Sequence, residues 1–208
     1  MVIKGSNEVH RIVRDALDIT LKEVFNKNTI IKDAKLRSSI FVFSLGKELS
    51  KSYEGHKLKV VGFDEERKRR TPGEWLLDIA IVKEKPISDP KKKQSKAEIP
   101  YQLIWAVESE SSTNLHAFAE DFGKLLCVKS ENYLFLNGLN QKKEEDRNSF
   151  VERRLETVKQ LLKEINYNSN NLYFAFWPTP AKNNKGSLWD DFSSAPSELL
   201  NMVRVKEL

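Results

Sequence analysis

The segment EWLLDIAIVK (74–83) constrains this chain more than any other, because it is apolar on both of its alternating faces except at one aspartate. In a strand Leu76, Asp78, Ala80 and Val82 share one face, while Trp75, Leu77, Ile79 and Ile81 share the other. Such a strand belongs inside a sheet that is covered on both sides. A carboxylate there is expensive, since burying even a neutral polar group without a partner costs roughly 2–7 kcal/mol and an ion costs more. Asp78 therefore needs a partner or a purpose.

The flanking periodicities predict how that sheet is built. EVHRIVRDALDITLKEVF (8–25) places Val9, Ile12, Val13, Ala16, Leu17, Leu21 and Val24 at helical spacing, with Ser6 or Asn7 as its cap. A second helical pattern runs through Leu36, Ile40, Phe43, Leu49 and Tyr53 and stops before Gly55. Three consecutive strands follow at 57–63, 74–83 and 100–110, punctuated by Pro72, Gly73, Pro86, Pro90 and Pro100. Then come a helix over 113–128, a strand over 133–139, a helix over 147–165 and a strand over 171–177. This αα-βββ-αβ-αβ order predicts an α/β fold with a central mixed sheet of about five strands flanked by helices, because the last two strands each need a helical crossover. Residues 181–187 read as a loop and 196–203 as a short terminal helix.

A chain of 208 residues with 39% hydrophobic content is most economically a single domain, 1–208. Within it 1–55 are leading helices, 56–180 the core, and 181–208 a loop and short helix. Charged Lys4, Glu8, Arg11, Arg14, Asp15 and Asp18 leave no apolar signal core in residues 1–20, and no uninterrupted apolar run is long enough to span a membrane, so a soluble, cytoplasmic protein is expected. Cys127 is the only cysteine, which excludes an intramolecular disulfide, and its setting in LLCV predicts a buried, inert thiol. No Gly-rich phosphate loop is present, which argues against a nucleotide cofactor, and no His/Cys spacing suits zinc. His116 reads as a polar helix residue.

Asp78 is not the only conspicuous acid. Glu108 and Glu110 in PYQLIWAVESE (100–110) are two residues apart, so they project from one strand face together with Gln102, Ile104 and Ala106. One account places all three acids at solvent-exposed strand ends. The other has them converge on Mg²⁺, with Mn²⁺ as a substitute, which favours carboxylate oxygens alongside water and substrate phosphate. A metal held in this way polarises a phosphodiester and lowers the pKa of an attacking water. Glu74 is a candidate fourth ligand and equally a turn residue after Pro72-Gly73; Glu48 is the nearest acid on a leading helix.

Asp78 in GEWLLDIAIV, followed by Glu108-Ser109-Glu110 in LIWAVESES and then a helix, resembles the PD-(D/E)XK nucleases. In that family an Asp on one strand and a Glu-x-Lys or Asp-x-Lys on the next sit in an αβββαβ core. The resemblance covers about residues 55–140 and implies a metal-dependent nuclease with Asp78, Glu108 and Glu110 in its active site. Leu77 replaces the family's proline and Glu110 its lysine. Some restriction endonucleases of the family use Glu-x-Glu, which would make Glu110 a metal ligand or general base. Lys124 on the following helix is the alternative source of the missing cation, or else a solvated surface lysine.

The net charge of +5 and pI of about 9.1 suit a polyanionic partner. The basic clusters Arg67-Lys68-Arg69-Arg70 and Lys91-Lys92-Lys93 both flank the Asp78 strand in sequence, which makes them the expected phosphate contacts. The combined expectation is a DNA endonuclease of restriction type, acting as a homodimer if it cuts both strands. The alternatives are a repair or recombination nuclease and a non-catalytic nucleic-acid-binding protein on the same fold.

Overall fold

The computed structural model describes residues 3, 5–26, 30–60, 63–64, 69–70, 76–88, 96–167, 171–181 and 186–208. Two helices lead, α1 (Ser6–Val24) and α2 (Ala34–Ser50), followed by strand β1 (Lys57–Val60) and a small pair, β2 (Phe63–Asp64) with β3 (Arg69–Arg70). The long strands β4 (Ile79–Ser88) and β5 (Lys96–Glu110) come next, then α3 (Leu115–Leu126), β6 (Asn132–Leu139), α4 (Glu144–Glu164) and β7 (Leu172–Pro178). A short helix α5 (Leu188–Asp191), a 3-10 turn (Pro196–Met202) and strand β8 (Arg204–Glu207) end the chain.

Six strands form one mixed sheet in the order β1-β4-β5-β6-β7-β8. The pairs β1–β4, β4–β5 and β7–β8 are antiparallel, whereas β5–β6 and β6–β7 are parallel and are joined through α3 and α4, as the crossover argument requires. β4 is interior, as its two apolar faces predict. Ile79 and Ile81 enter the core shared with α1 and α2, while Ala80 and Val82 enter the core shared with Phe118, Phe122 and Leu125 of α3 and with Phe150 and Val158 of α4.

The structure departs from the sequence reading in several places. β4 begins at Ile79 rather than residue 74, so Asp78 sits in a bend at the mouth of the strand, half-buried, and is not a mid-strand residue. A register shift between Ile81 and Val82 opposes Leu103 and Trp105 while skipping Ile104, which joins Trp105 in the α1/α2 core; Ile104 therefore does not share a face with Ala106 and the two glutamates. Helix α1 is preceded by Gly5 at φ 81 and has no side-chain cap from Ser6 or Asn7. The 196–203 segment forms a 3-10 turn and feeds an edge strand, β8, that pairs with β7. Cys127 is exposed, not buried: Phe118, Phe122 and Leu125 point inward from α3, and residue 127 is about 180° around the helix from Phe118. Among the described residues no helix is long and apolar enough to cross a membrane.

Candidate active site

β5 ends in Val107-Glu108-Ser109-Glu110, and alternation sends Glu108 and Glu110 to the side that α3 covers. Glu108 is 2% exposed, and its Oε1 is buried without a hydrogen-bond partner. Asp78 meets it from the neighbouring strand mouth. Its Oδ2 accepts a 2.8 Å hydrogen bond from the Ser109 backbone N–H, and its own backbone N–H donates to the Glu108 carboxyl. Burial, and then the nearby charge of Asp78, push the Glu108 carboxyl up to about 9, against a smaller opposing pull from Lys124.

The Glu110 carboxyl is also raised, chiefly by burial. Its Oε1 accepts from Ser112 N–H at 2.5 Å, which favours ionisation, while the Asp121 carboxylate stands within hydrogen-bonding reach and favours a proton on Glu110. Asp121 lies on α3, and its Oδ1 accepts a 2.5 Å hydrogen bond from Lys124 Nζ one turn on. That bond raises the Lys124 ammonium, with further support from the charges of Glu108, Asp121 and Asp78. Lys124 is thus tied to Asp121, with its side chain 42% exposed. Lys124 is bonded to Asp121 and lies within the field of Glu108 and Asp78, while Glu110 meets the group through Asp121.

Sequence reasoning missed Asp121. Its signal was the spacing Asp121-x-x-Lys124 on the polar side of a helix whose inward residues are Phe118, Phe122 and Leu125. Glu48 is not part of the cluster, because α2 packs on the opposite sheet face and Glu48 is held by Lys51 Nζ at 2.6 Å. His116 is exposed and lies 3.5 Å from Glu120, as a polar helix residue should. Glu74, Arg67, Lys68, Lys91, Lys92 and Lys93 lie outside the described residues; Arg69 and Arg70 form β3, of which only the backbone is described. Residues 89–95 follow Ser88 in sequence and precede Lys96, and these two oppose each other at the far ends of β4 and β5, about 30 Å from Asp78 at ~3.3 Å per strand residue.

The floor of the site is tight. A Cβ on Gly138 of β6 would stand 2.4 Å from the Ser111 backbone oxygen, so the turn after Glu110 rests directly on a glycine. Asn137, paired in register with Glu110, is fully buried with its Oδ1 unpartnered. Among the described residues no three His, Cys, Asp or Glu side chains already surround a common point as a metal site, since Asp78 and Glu110 turn their oxygens to backbone N–H groups. The donor set nevertheless suits a hard divalent cation: every candidate ligand is a carboxylate oxygen, and the buried Glu108 Oε1 has no other partner.

No protein-family model matches this chain, no curated protein matches its sequence, and no solved structure matches its fold.

Proposed function

We propose that this protein is a metal-dependent phosphodiesterase acting on DNA, an endonuclease of restriction type with its active site in the Asp78, Glu108, Glu110, Asp121 and Lys124 cluster. The observation that carries the reading is Glu108: a buried carboxyl with an orphaned oxygen, beside a second carboxylate, at the carboxyl end of a parallel strand. A fold with no use for this acid would replace it by an apolar residue, because its ionised form is destabilised at neutral pH. The PD-(D/E)XK resemblance of the motif supports the same reading.

Asp78, Glu108 and Glu110 would hold Mg²⁺ or Mn²⁺, which polarises the phosphodiester and eases deprotonation of the attacking water. Glu110, whose proton affinity is raised, is suited to accept that proton. Lys124 is kept charged and oriented by Asp121, and it offers a cation to the charge that develops on the phosphate oxygens. It takes the part of the lysine missing from Glu-x-Lys. Cutting both strands of a duplex would require two copies in a symmetric dimer.

The test is incubation of the purified protein with supercoiled plasmid and with branched DNA in Mg²⁺, Mn²⁺, Ca²⁺ and EDTA. Nicking or linearisation is expected with Mg²⁺ or Mn²⁺, with binding but poor chemistry in Ca²⁺. Cleavage of branched DNA alone would move the role to repair or recombination. Equal cleavage in EDTA would refute a metal mechanism.

A further inference from the structure

On the other side of α3 from Lys124, a groove of about 470 Å³ opens between the start of α3 and the middle of α4, lined by Thr113, Leu115, Gln141, Phe150, Arg153, Arg154 and Thr157. Arg154 forms its inner wall and is only 6% exposed. Its guanidinium lies 4.2 Å from the Phe118 ring centroid and 5.4 Å from that of Phe150, and its Nη2 donates to the Thr113 carbonyl at 3.1 Å. Its Nη1 is buried and has no hydrogen-bond partner. No carboxylate among the described residues pairs with it, and the charge that acts on it is another cation, Arg153. Two aromatic faces and one carbonyl do not offset a buried guanidinium beside a second arginine. An anion in the groove would.

We propose that the groove between α3 and α4 is a phosphate-binding site, in which Arg153 and Arg154 hold a backbone phosphate of the nucleic-acid strand presented to the acid cluster. The choice of a strand phosphate rests on the proposed function. Thr113 lies three residues from Glu110, so the two Cα atoms are within about 11 Å, short enough for one strand to lie over both. The N-terminal end of α3 borders the groove and adds its positive dipole. The planar, forked guanidinium suits a tetrahedral phosphate better than a lysine does.

The experiment uses the full chain in EDTA throughout, so its outcome does not depend on cleavage. Melting is followed in sodium phosphate and in sodium chloride of matched ionic strength, and the affinity of a short single-stranded DNA is measured over a salt series. Phosphate should raise the parent's melting temperature beyond chloride, and Arg154→Met and Arg153→Ala should each remove the excess. Each variant should also flatten the oligonucleotide salt slope by about 0.7, the value for one phosphate neutralised on a single strand. In phosphate-free buffer Arg154→Met should melt no lower than the parent, because it deletes an uncompensated cation and keeps an apolar side chain between the rings; a purely structural Arg154 predicts a drop. Should Arg154→Met fail to fold, the exposed Arg153 still decides the question. The proposal is overturned if the parent shows no phosphate-specific stabilisation, or if Arg153→Ala responds as the parent does. Phosphate-specific stabilisation with an unchanged oligonucleotide slope would assign the groove to a free phosphomonoester and overturn its place on the strand. Metal-dependent cleavage with either failure would leave the acid cluster standing without the groove.

Discussion

Asp78 Oδ2 accepts a 2.8 Å hydrogen bond from the backbone N–H of Ser109, the residue that separates Glu108 from Glu110. The bond fixes the mouth of β4 to the end of β5, and it brings together acids that are thirty residues apart in the chain. It also gives the Asp78 carboxylate a backbone donor, so the metal-free fold tolerates the cluster while leaving Glu108 Oε1 unpartnered.

Glu108 should make the metal-free protein less stable as pH rises. In the folded state its carboxyl titrates at about 9, against 4.5 for an unperturbed glutamate. Between these values the folded chain keeps a proton that the unfolded chain releases, so stability falls with rising pH at up to about 1.4 kcal/mol per unit and levels off above the folded value. Urea unfolding in EDTA from pH 5 to pH 9 should show Glu108→Gln gaining on the parent steadily across the range. Parallel curves would mean that Glu108 is ionised in the folded state.

Lys124→Met should separate chemistry from binding. The cation near the acids is removed, so single-turnover cleavage in Mg²⁺ should fall by on the order of 10²–10³-fold. DNA affinity in Ca²⁺ should change little by comparison. A cleavage rate equal to the parent's would return Lys124 to the surface.

Gly138→Ala tests the support beneath the site. Its new Cβ would meet the Ser111 backbone oxygen at 2.4 Å, so the turn that carries Ser112 toward Glu110 must move. Overpacking of this kind costs roughly 1–3 kcal/mol. Urea midpoints should show the loss, and cleavage should fall further than stability alone explains; a neutral substitution would mean that the turn has room to shift.

Much of this fold is legible in the sequence because periodicity reports burial. Ile79 and Ile81 against Ala80 and Val82 announce an interior strand, and the spacing of Phe118, Phe122 and Leu125 gives α3 its inward face. What periodicity does not report is long-range pairing. The bulge at Ile104 follows from register against β4, and β8 exists because β7 has a free edge that Arg204–Glu207 can reach after the 3-10 turn. Asp78, Glu108 and Glu110 stand out because acids interrupt apolar strands, whereas Asp121 does not because acids are ordinary on a polar helix side. The same ordinariness hides Arg154, one charge among many along α4, whose burial depends on Phe118 from another helix.

Ser88 and Lys96, which stand on either side of the lysine-rich segment, are paired at the ends of β4 and β5 far from Asp78. At ~3.3 Å per strand residue Ser88 lies about 30 Å from Asp78, so the phosphates contacted by Lys91, Lys92 and Lys93 are expected about one helical turn from the bond being cut. Replacing Lys91, Lys92 and Lys93 by alanine should flatten the salt dependence of duplex binding by about 0.9 for each phosphate that is no longer neutralised. The effect should appear in binding and leave the cleavage rate of saturated complex unchanged. An unaltered slope would reduce Lys91, Lys92 and Lys93 to solvated lysines.

The central claim, that the acids form a metal site, is tested most directly by thermal melting of the parent, Asp78→Asn and Glu108→Gln in EDTA and in Mn²⁺. A desolvated acid cluster in which Glu108 is forced to keep a proton beside Asp78 predicts that both variants melt at or above the parent in EDTA, and that Mn²⁺ raises the parent's midpoint while leaving theirs unmoved. A large fall of both variants in EDTA, the roughly 3–5 kcal/mol expected when a buried cation is left without its partner, would show the acids to be structural and contradict the account.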